Sequence, residues 1–177
     1  MLLQPLRRGI THLIFIYETV VDRFTEKAKA LKCGFGLEPT TALGPLINTT
    51  ALKKVQRLVE DAVHKGAKIR LGGKKHSAGQ SVFEATVLSD VPQNAMMYQE
   101  EIFGPVAPFY RFKTEAEAIQ MANDTPYGLA AYLFTRDADR IRRVSEALEA
   151  GSVGINTTSI FSEALPFGGF KESGIGR

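Results

Sequence analysis

Tryptophan is absent from the 177-residue sequence, and cysteine occurs once, as Cys33. A lone cysteine excludes a disulfide within the chain and fits a reducing compartment. No apolar run approaches the roughly 18 residues that cross a bilayer, so the sequence predicts no membrane span. The three histidines are scattered without the spacing of metal ligands, and we therefore predict no metal site.

An excess of one charge is also missing. The 22 Lys and Arg residues stand against 19 Asp and Glu residues, which leaves a net charge of +3. The chain lacks the basic runs and aromatic-studded basic stripes of nucleic-acid-binding proteins. We therefore expect neither nucleic acid nor a membrane among the partners. The length and a hydrophobic content of 44% predict one domain over residues 1–177 with a sizeable core.

The first 17 residues include Arg7 and Arg8 and no acidic residue before Glu18. Such a bias is typical of organelle transit peptides, although these are usually longer and richer in serine. The alternative is an arbitrary start that leads into a strand at residues 13–17. No secretory signal is found, and we expect the chain in the cytoplasm or the mitochondrial matrix.

The spacing of apolar residues predicts alternating helices and strands around a long loop at residues 32–48. Helices are expected at residues 20–31, 50–65 and 114–123, and from 137 to a stop at Gly151. Strands are expected at residues 13–17, 68–71, 82–87, 106–112, 129–134 and 153–156. The alternation between 106 and 156 is typical of parallel strands joined by crossovers. The sequence thus predicts an α/β fold with a layered sheet.

Two local patterns refine these helices. Thr114 with Glu117 forms the sequence pattern of a capping box, and Asp137 that of an N-cap. An apolar stripe marks the buried face predicted for the second helix: Leu52, Val55, Val59, Ala62 and Val63.

The best carboxylate candidate is the pair Glu100 and Glu101. Paired acids can serve acid–base chemistry, but neighbouring residues in an extended segment point in different directions. Two acids close to a strand are also a common surface feature. Gly104 and Pro105 restrict the backbone around Phe103, which favours a functional interpretation of this segment.

Cys33 is the only thiol that could act as a nucleophile. An activated thiolate needs a helix N-terminus, a cationic neighbour or a histidine. Lys32 is adjacent, but no histidine partner is indicated. A partly buried small residue at a helix end is therefore the favoured interpretation, and thiol chemistry at Cys33 is the weakest of the functional hypotheses.

Two segments carry a resemblance to a known family: Gln99-Glu-Glu-Ile-Phe-Gly-Pro-Val106 and Pro166-Phe-Gly-Gly-Phe-Lys-Glu-Ser-Gly-Ile-Gly-Arg177. Together they resemble the aldehyde dehydrogenase superfamily, whose members oxidise aldehydes to acids with NAD or NADP. Residues 123–130 and 167–173 are most similar to succinate-semialdehyde dehydrogenases. The resemblance extends from about residue 13 to 177. It implies the α/β catalytic-domain fold, truncated at both ends, with the N-terminal cofactor domain absent.

The resemblance also implies roles for individual residues. Glu101 falls where the family's glutamate hydrogen-bonds the nicotinamide ribose, and Phe103 where its aromatic residue packs by the nicotinamide ring. These two residues are the expected contacts to NAD or NADP. A carboxylate that accepts hydrogen bonds from ribose hydroxyls, beside an aromatic ring, is suited to that task.

Residues 157–167 correspond to the loop that rims the family's aldehyde tunnel, with Phe167 in its wall. The serine that holds the substrate carboxylate in succinate-semialdehyde dehydrogenases falls on Phe161, with Ser159 and Ser162 on either side. An aromatic residue there suits an apolar aldehyde better than an anion. The alternative is that Phe161 simply packs in the core.

No catalytic residue is assigned, because an ungapped alignment places Arg8 where the family has its cysteine nucleophile. The family's general base and glycine-rich cofactor loop would lie further upstream. The leading hypothesis is therefore a fragment of an NAD(P)-dependent aldehyde dehydrogenase that does not catalyse alone. The alternative is a non-catalytic interaction module that associates with full-length subunits as a homo- or hetero-oligomer.

Overall fold

The computed structural model describes residues 2–6, 14–16, 19–160 and 162–175. In chain order the elements are β1 (Leu2–Leu6), β2 (Ile14–Ile16), α1 (Thr19–Lys29), α2 (Thr49–His64), β3 (Lys68–Leu71), β4 (Thr86–Ser89), α3 (Met96–Gln99), β5 (Val106–Arg111), α4 (Glu115–Asn123), β6 (Tyr127–Gly128), β7 (Ala130–Phe134), α5 (Ala138–Ala147), β8 (Ser152–Ile155) and β9 (Phe170–Lys171).

The chain divides into two compact units. The central unit is continuous and consists of Glu18–Tyr110, whereas the terminal unit combines the segment up to residue 17 with residues 111 onward. One domain over residues 1–177 stays a prediction. No helix in the described ranges is long and apolar enough to cross a bilayer.

In the central unit, β4 lies between β3, which runs antiparallel to it, and β5, which runs parallel. Helix α1 packs on β3 and β4, and the rings of Phe24 and Phe109 meet edge to face at 5.1 Å between centroids. The largest fully buried side chains of this unit are Tyr98, Tyr110, Phe83, Phe109, Leu58, Leu88 and Met97. The predicted strand at 82–87 begins later in the structure, at Thr86.

Helix α2 follows from its cap and its apolar stripe. The Asn48 side chain accepts a hydrogen bond from the Ala51 N–H at 2.8 Å, and Gly66 (φ +109°) lies just beyond the helix end. One residue of the predicted stripe is wrong, because Val63 is 38% exposed. The buried position is Leu58 instead, since a helix repeat of 3.6 residues places it beside Val55.

In the terminal unit the sheet order is β2, β1, β7, β8. β7 and β8 are parallel, as predicted, and β1 is antiparallel to both β2 and β7. The two strands beside β7 are β1 and β8, so β5 is not its neighbour. Strand β1 comes from the start of the chain, so local periodicity carries no information about its place beside β7.

The two predicted caps are present. The Thr114 hydroxyl accepts from the Glu117 N–H at 3.1 Å, and the Glu117 carboxylate accepts from the Lys113 N–H at 2.7 Å. Asp137 accepts from the Arg140 N–H at 2.9 Å. Helix α5 ends at Ala147 rather than at Gly151, which lies next to β8 instead.

Glycines hold the motif at residues 166–173 against the rest of its unit. A Cβ on Gly151 would overlap the Gly168 carbonyl oxygen, and one on Gly128 would overlap that of Glu149. The Lys171 ammonium donates to the carbonyls of Asn123 at 2.8 Å and of residue 125 at 3.0 Å. These contacts hold the motif in place, and they thereby fix one end of the loop at 157–167.

Candidate functional site

The predicted cofactor residues lie in the segment that joins α3 to β5. Glu100 and Glu101 have different surroundings, as expected for neighbouring residues. Arg57 Nη2 donates to both Glu100 carboxylate oxygens, at 2.8 and 2.7 Å, and Lys54 Nζ lies 3.7 Å from Oε1. Glu100 therefore forms an ion pair with side chains of α2.

Glu101 is half-buried, and its Oε1 atom is shielded from solvent. The next residue, Ile102, is buried in the core. A buried isoleucine between Glu101 and Phe103 fixes the depth at which both neighbours sit. The carboxylate is thus held at the margin of the core.

Phe103 is 57% exposed and adopts a left-handed backbone conformation, with φ +49°. This conformation costs about 1–2 kcal/mol for a residue other than glycine. Residues that retain backbone strain cluster at ligand sites. A strained backbone that presents an exposed aromatic ring is the strongest structural sign of a binding role in this segment.

Gly104 allows the segment to lie close to α2. A Cβ at this position would lie 2.6 Å from Val55 Cγ2, and Val55 is fully buried. The carbonyl of Pro105 accepts a hydrogen bond from the Thr86 N–H at 2.8 Å, which continues the segment into the sheet. Glycine is needed at 104 for space.

The predicted substrate loop at 157–167 follows Asn156, the first residue after β8, which has φ +55°. The Asn156 side-chain oxygen accepts from the Thr135 N–H at 3.0 Å, and its nitrogen donates to the Thr135 carbonyl at 2.9 Å. Asparagine tolerates the left-handed region better than most residues. Two hydrogen bonds and this backbone turn fix the point at which the loop leaves β8.

The loop lines two neighbouring grooves in the terminal unit. One has a volume of about 420 Å³ and includes Ser162 and Phe167, and the other, of about 380 Å³, includes Ser159. Both are also lined by Ile160, Leu165 and Pro166. The structure thus brings Ser162 and Phe167 to one groove and Ser159 to the next.

Local hydrogen bonds occupy the two predicted serines in part. The Ser159 N–H donates to the Thr157 hydroxyl at 3.1 Å, and the Ser162 hydroxyl accepts from the Ala164 N–H at 3.3 Å. The described lining residues of both grooves include no lysine or arginine. Phe161 and Arg8 lie outside the described residues.

Cys33 has surroundings that favour the structural interpretation. Its sulfur lies 3.9 Å from the carbonyl oxygen of Phe83, and its backbone bridges to Leu43. No group of three potential metal ligands occurs in the part of the chain that the structure describes.

Two residues of α2 were not singled out from the sequence. Arg57 binds Glu100, and the Asp61 carboxylate accepts from the Met96 N–H at 2.7 Å. Lys65 lies 2.7 Å from the other Asp61 oxygen, and its hydrogen bond is the main cause that lowers the pKa of Asp61. The spacing of four residues between Arg57 and Asp61 was the available signal, because it places both on one helix face.

Comparison with known proteins identifies the relatives of this chain. The model of the aldehyde dehydrogenase family matches residues 12–177. Mitochondrial succinate-semialdehyde dehydrogenase of Oryza sativa subsp. japonica is 53% identical over 162 residues, which are 92% of this chain and 31% of that enzyme. The NADP(+) succinate-semialdehyde dehydrogenase GabD of Escherichia coli (strain K12) is 49% identical over 168 residues, 93% of this chain and 35% of that enzyme.

The fold has the same relatives. The crystal structure of succinate-semialdehyde dehydrogenase from Burkholderia pseudomallei superposes with a TM-score of 0.88 at 48% identity, over 92% of this chain and 35% of that one. The resemblance and the catalytic-domain fold predicted from the sequence are therefore confirmed. This chain spans about a third of the length of the relatives that it matches.

Proposed function

This chain belongs to the aldehyde dehydrogenase family, and we propose that it supplies part of the catalytic domain of an enzyme that oxidises an aldehyde to a carboxylic acid with NAD or NADP. The observation that carries the proposal is the segment at Glu101–Phe103. It presents a half-buried carboxylate and an exposed aromatic ring on a strained backbone.

These residues fit a pyridine nucleotide. A half-buried carboxylate can accept hydrogen bonds from the two hydroxyls of a ribose, and its partial burial strengthens such bonds. The exposed Phe103 ring offers a flat apolar face to a flat nicotinamide ring. The nicotinamide, when bound, accepts the hydride that leaves the substrate carbon.

The protein groups in this segment orient the cofactor. Glu101 fixes the ribose in rotation, Phe103 supports one face of the ring, and Ile102 anchors both residues in the core. The nicotinamide ring gives up its rotational freedom when the cofactor binds. The activation barrier of hydride transfer is then lower, because this entropy is not lost again in the reaction step. None of these three residues is the catalytic nucleophile in this proposal.

The substrate is an aldehyde that the loop at 157–167 contacts. The similarity to enzymes named for succinate semialdehyde supports an aldehyde with a distal carboxylate. Phe161 in the serine position, together with grooves whose described lining holds no cation, supports a weaker preference for that carboxylate. We therefore expect the enzyme to oxidise succinate semialdehyde but to prefer it only weakly over butanal, which lacks the carboxylate.

The isolated 177-residue chain should not turn over an aldehyde. Its only thiol, Cys33, lies against a backbone carbonyl, and addition to the aldehyde carbonyl, which must precede loss of hydride, needs an activated nucleophile. Purified chain mixed with NAD or NADP and succinate semialdehyde should give no increase in absorbance at the wavelength of the reduced cofactor. Detectable turnover would contradict this part of the proposal.

A chimera tests the function itself. In the chimera, residues 19–177 of this chain replace the matching segment of the E. coli enzyme. The residues upstream of that segment remain those of the E. coli enzyme. We expect NADP-dependent oxidation of succinate semialdehyde, and E101Q should raise KM for NADP about tenfold through loss of the charged acceptor. An inactive chimera that is nevertheless folded, or an E101Q variant with unchanged KM, would refute the proposal.

The preference between substrates is tested in the same chimera. F161S should raise the ratio of kcat/KM for succinate semialdehyde over butanal by about tenfold or more, because a hydroxyl replaces an apolar surface near an anion. S77K, on an exposed position far along the chain, serves as the control and should leave the ratio unchanged. An unchanged ratio in F161S would remove the role given to this position.

We also propose that the chain associates with full-length subunits of this family in the cytoplasm or the mitochondrial matrix. Exposed apolar side chains in the central unit support such an association: Leu31, Phe35, Leu37 and Ile47. Co-purification of tagged chain with the E. coli enzyme tests it. Recovery of the chain free of that enzyme from a mixture at micromolar concentration would refute it.

A further inference from the structure

We propose that helix α2 positions the cofactor segment, defined as residues 100–104, through three contacts: two within the segment, at Glu100 and Gly104, and one at Met96, where the preceding helix α3 begins. The contacts come from Val55, Arg57 and Asp61, which together we name the α2 clamp. The inference rests on the function proposed above, because it makes Arg57 and Asp61 positioning residues for Glu101 and Phe103. Neither residue is assigned a contact with the cofactor.

The first point of the clamp is the start of α3. The first N–H groups of a helix have no acceptor within the helix, and Ala95 at the N-cap position offers no side-chain oxygen. The Asp61 carboxylate takes this place from a different helix, with Met96 N–H donating at 2.7 Å. Lys65 holds the second Asp61 oxygen at 2.7 Å, so the carboxylate cannot rotate freely.

The second point is the end of α3. Arg57 lies one helical turn before Asp61 and binds both oxygens of Glu100, while its Nη1 atom lies 3.8 Å from the Met96 sulfur. Lys54 adds a second cation 3.7 Å from Glu100. Both ends of the four-residue helix α3 are thus held by side chains of α2.

The third point is Gly104, which lies so close to Val55 that a Cβ would be 2.6 Å from Cγ2. Only residues 101, 102 and 103 lie between the second and third points. Ile102 is buried, and Phe103 is turned outward by its left-handed backbone. With both flanks fixed, the directions of the Glu101 and Phe103 side chains have little freedom left.

The effect of losing the Arg57–Glu100 ion pair depends on how exposed the two side chains are. Arg57 and Glu100 are partly exposed, and an ion pair of this kind contributes modestly. Loss of the pair should therefore leave the fold intact and loosen only the residues that it holds. This separation between local and global effects is the signature of a positioning role, because a general structural role would lower the unfolding midpoint as well.

The first experiment measures backbone hydrogen exchange in the full 177-residue chain. R57Q and E100Q should each speed exchange of the amides at 101–104 about three- to fivefold, with the thermal midpoint shifted by less than about 2 °C. The double variant should be no faster than E100Q alone, because E100Q already removes the contact with Arg57 together with the weaker one to Lys54. R57K, which keeps the charge, should recover part of the protection.

The matched control is R142Q, which breaks an exposed ion pair with Glu146 on α5 at 3.3 Å. It should leave exchange at 101–104 unchanged. Unchanged exchange in R57Q, or single effects that add fully in the double variant, would overturn the clamp. These outcomes do not depend on whether the chain serves an aldehyde dehydrogenase.

The second experiment uses the chimera described above. R57Q should raise KM for NADP about threefold or more while kcat stays within about twofold, since a misplaced ribose acceptor weakens binding of the cofactor. An unchanged KM would overturn the positioning role. If the unmodified chimera is inactive, the proposed function fails, and the exchange data still decide whether the clamp exists.

Discussion

At the scale of single residues, Phe103 combines the two properties that best mark a site in this chain, a left-handed backbone and an exposed aromatic ring. Its sequence context gives a partial signal, because Pro105 restricts the local backbone and Gly104 permits conformations that other residues avoid. The backbone angle of Phe103 itself is not encoded in its residue type, since a bulky residue avoids that region. Only the structure reveals that the ring is held outward at a cost.

Phe103 allows a direct test of that backbone cost. F103G should be more stable than F103A by about 1 kcal/mol, because glycine adopts a positive φ without the clash of a Cβ. Urea unfolding measures the difference. At the exposed helical position Lys53 the order should reverse, with K53A about 1 kcal/mol more stable than K53G. Equal stability of F103G and F103A would contradict the left-handed conformation.

The Asp61 carboxylate should make stability depend on pH. Its pKa lies below the ordinary 3.8, first because Lys65 donates a hydrogen bond and further because the Met96 N–H does so. A lowered pKa in the folded state means that the contribution is present above the unfolded value and is lost as the pH falls through the folded value. The stability advantage of the wild-type chain over D61N should therefore shrink between about pH 5 and pH 2.

Urea unfolding at a series of pH values measures this dependence. K65M serves as the matched variant, because it removes the largest cause of the shift while Asp61 stays in place. The advantage of K65M over the double variant K65M/D61N should be less dependent on pH. A wild-type advantage over D61N that is constant from pH 5 to pH 2 would contradict the lowered pKa.

At the scale of elements, capped and periodic segments were the ones that the sequence predicted well. Helices α4 and α5 begin where Thr114 and Asp137 predict, because a side-chain oxygen that accepts from an N–H three residues later is a local interaction. The stop at Gly151 was wrong because the need for glycine there arises from Gly168, a residue distant in sequence. Local patterns predict local contacts only.

The close approach of Gly151 to Gly168 predicts a strong response to one methyl group. G151A should destabilise the chain by about 2–3 kcal/mol, because a Cβ would overlap a backbone carbonyl that has little room to move. It should also increase protease cleavage between residues 160 and 175. G36A is the control, since a Cβ there meets nothing within 4 Å. If G151A were as stable and as resistant to protease as G36A, the backbone at Gly151 would not lie in contact with that at Gly168.

At the scale of the whole molecule, the chain forms two compact units, and one domain over residues 1–177 stays a prediction. The terminal unit joins both ends because β1 pairs with β7 over five residues, from Leu2 opposite Phe134 to Leu6 opposite Ala130. Pairing between such distant segments leaves no periodic trace in either one. The same limit applies to the α2 clamp, whose members are identified by contacts across some forty positions of sequence.

The exposed apolar side chains of the loop before α2 should make the isolated chain self-associate. Leu37 is 84% exposed and Ile47 is 92% exposed, and exposed apolar surface promotes association in water. Sedimentation velocity should show an average mass that rises above 19.4 kDa with concentration, and L37K/I47K should remain near that value. S77K/Q80K adds the same charge at exposed polar positions, so it separates removal of apolar surface from simple repulsion and should still associate. A wild-type chain that stays monomeric at high concentration would show that these side chains do not form an adhesive surface, and it would also weaken the proposed association with full-length subunits.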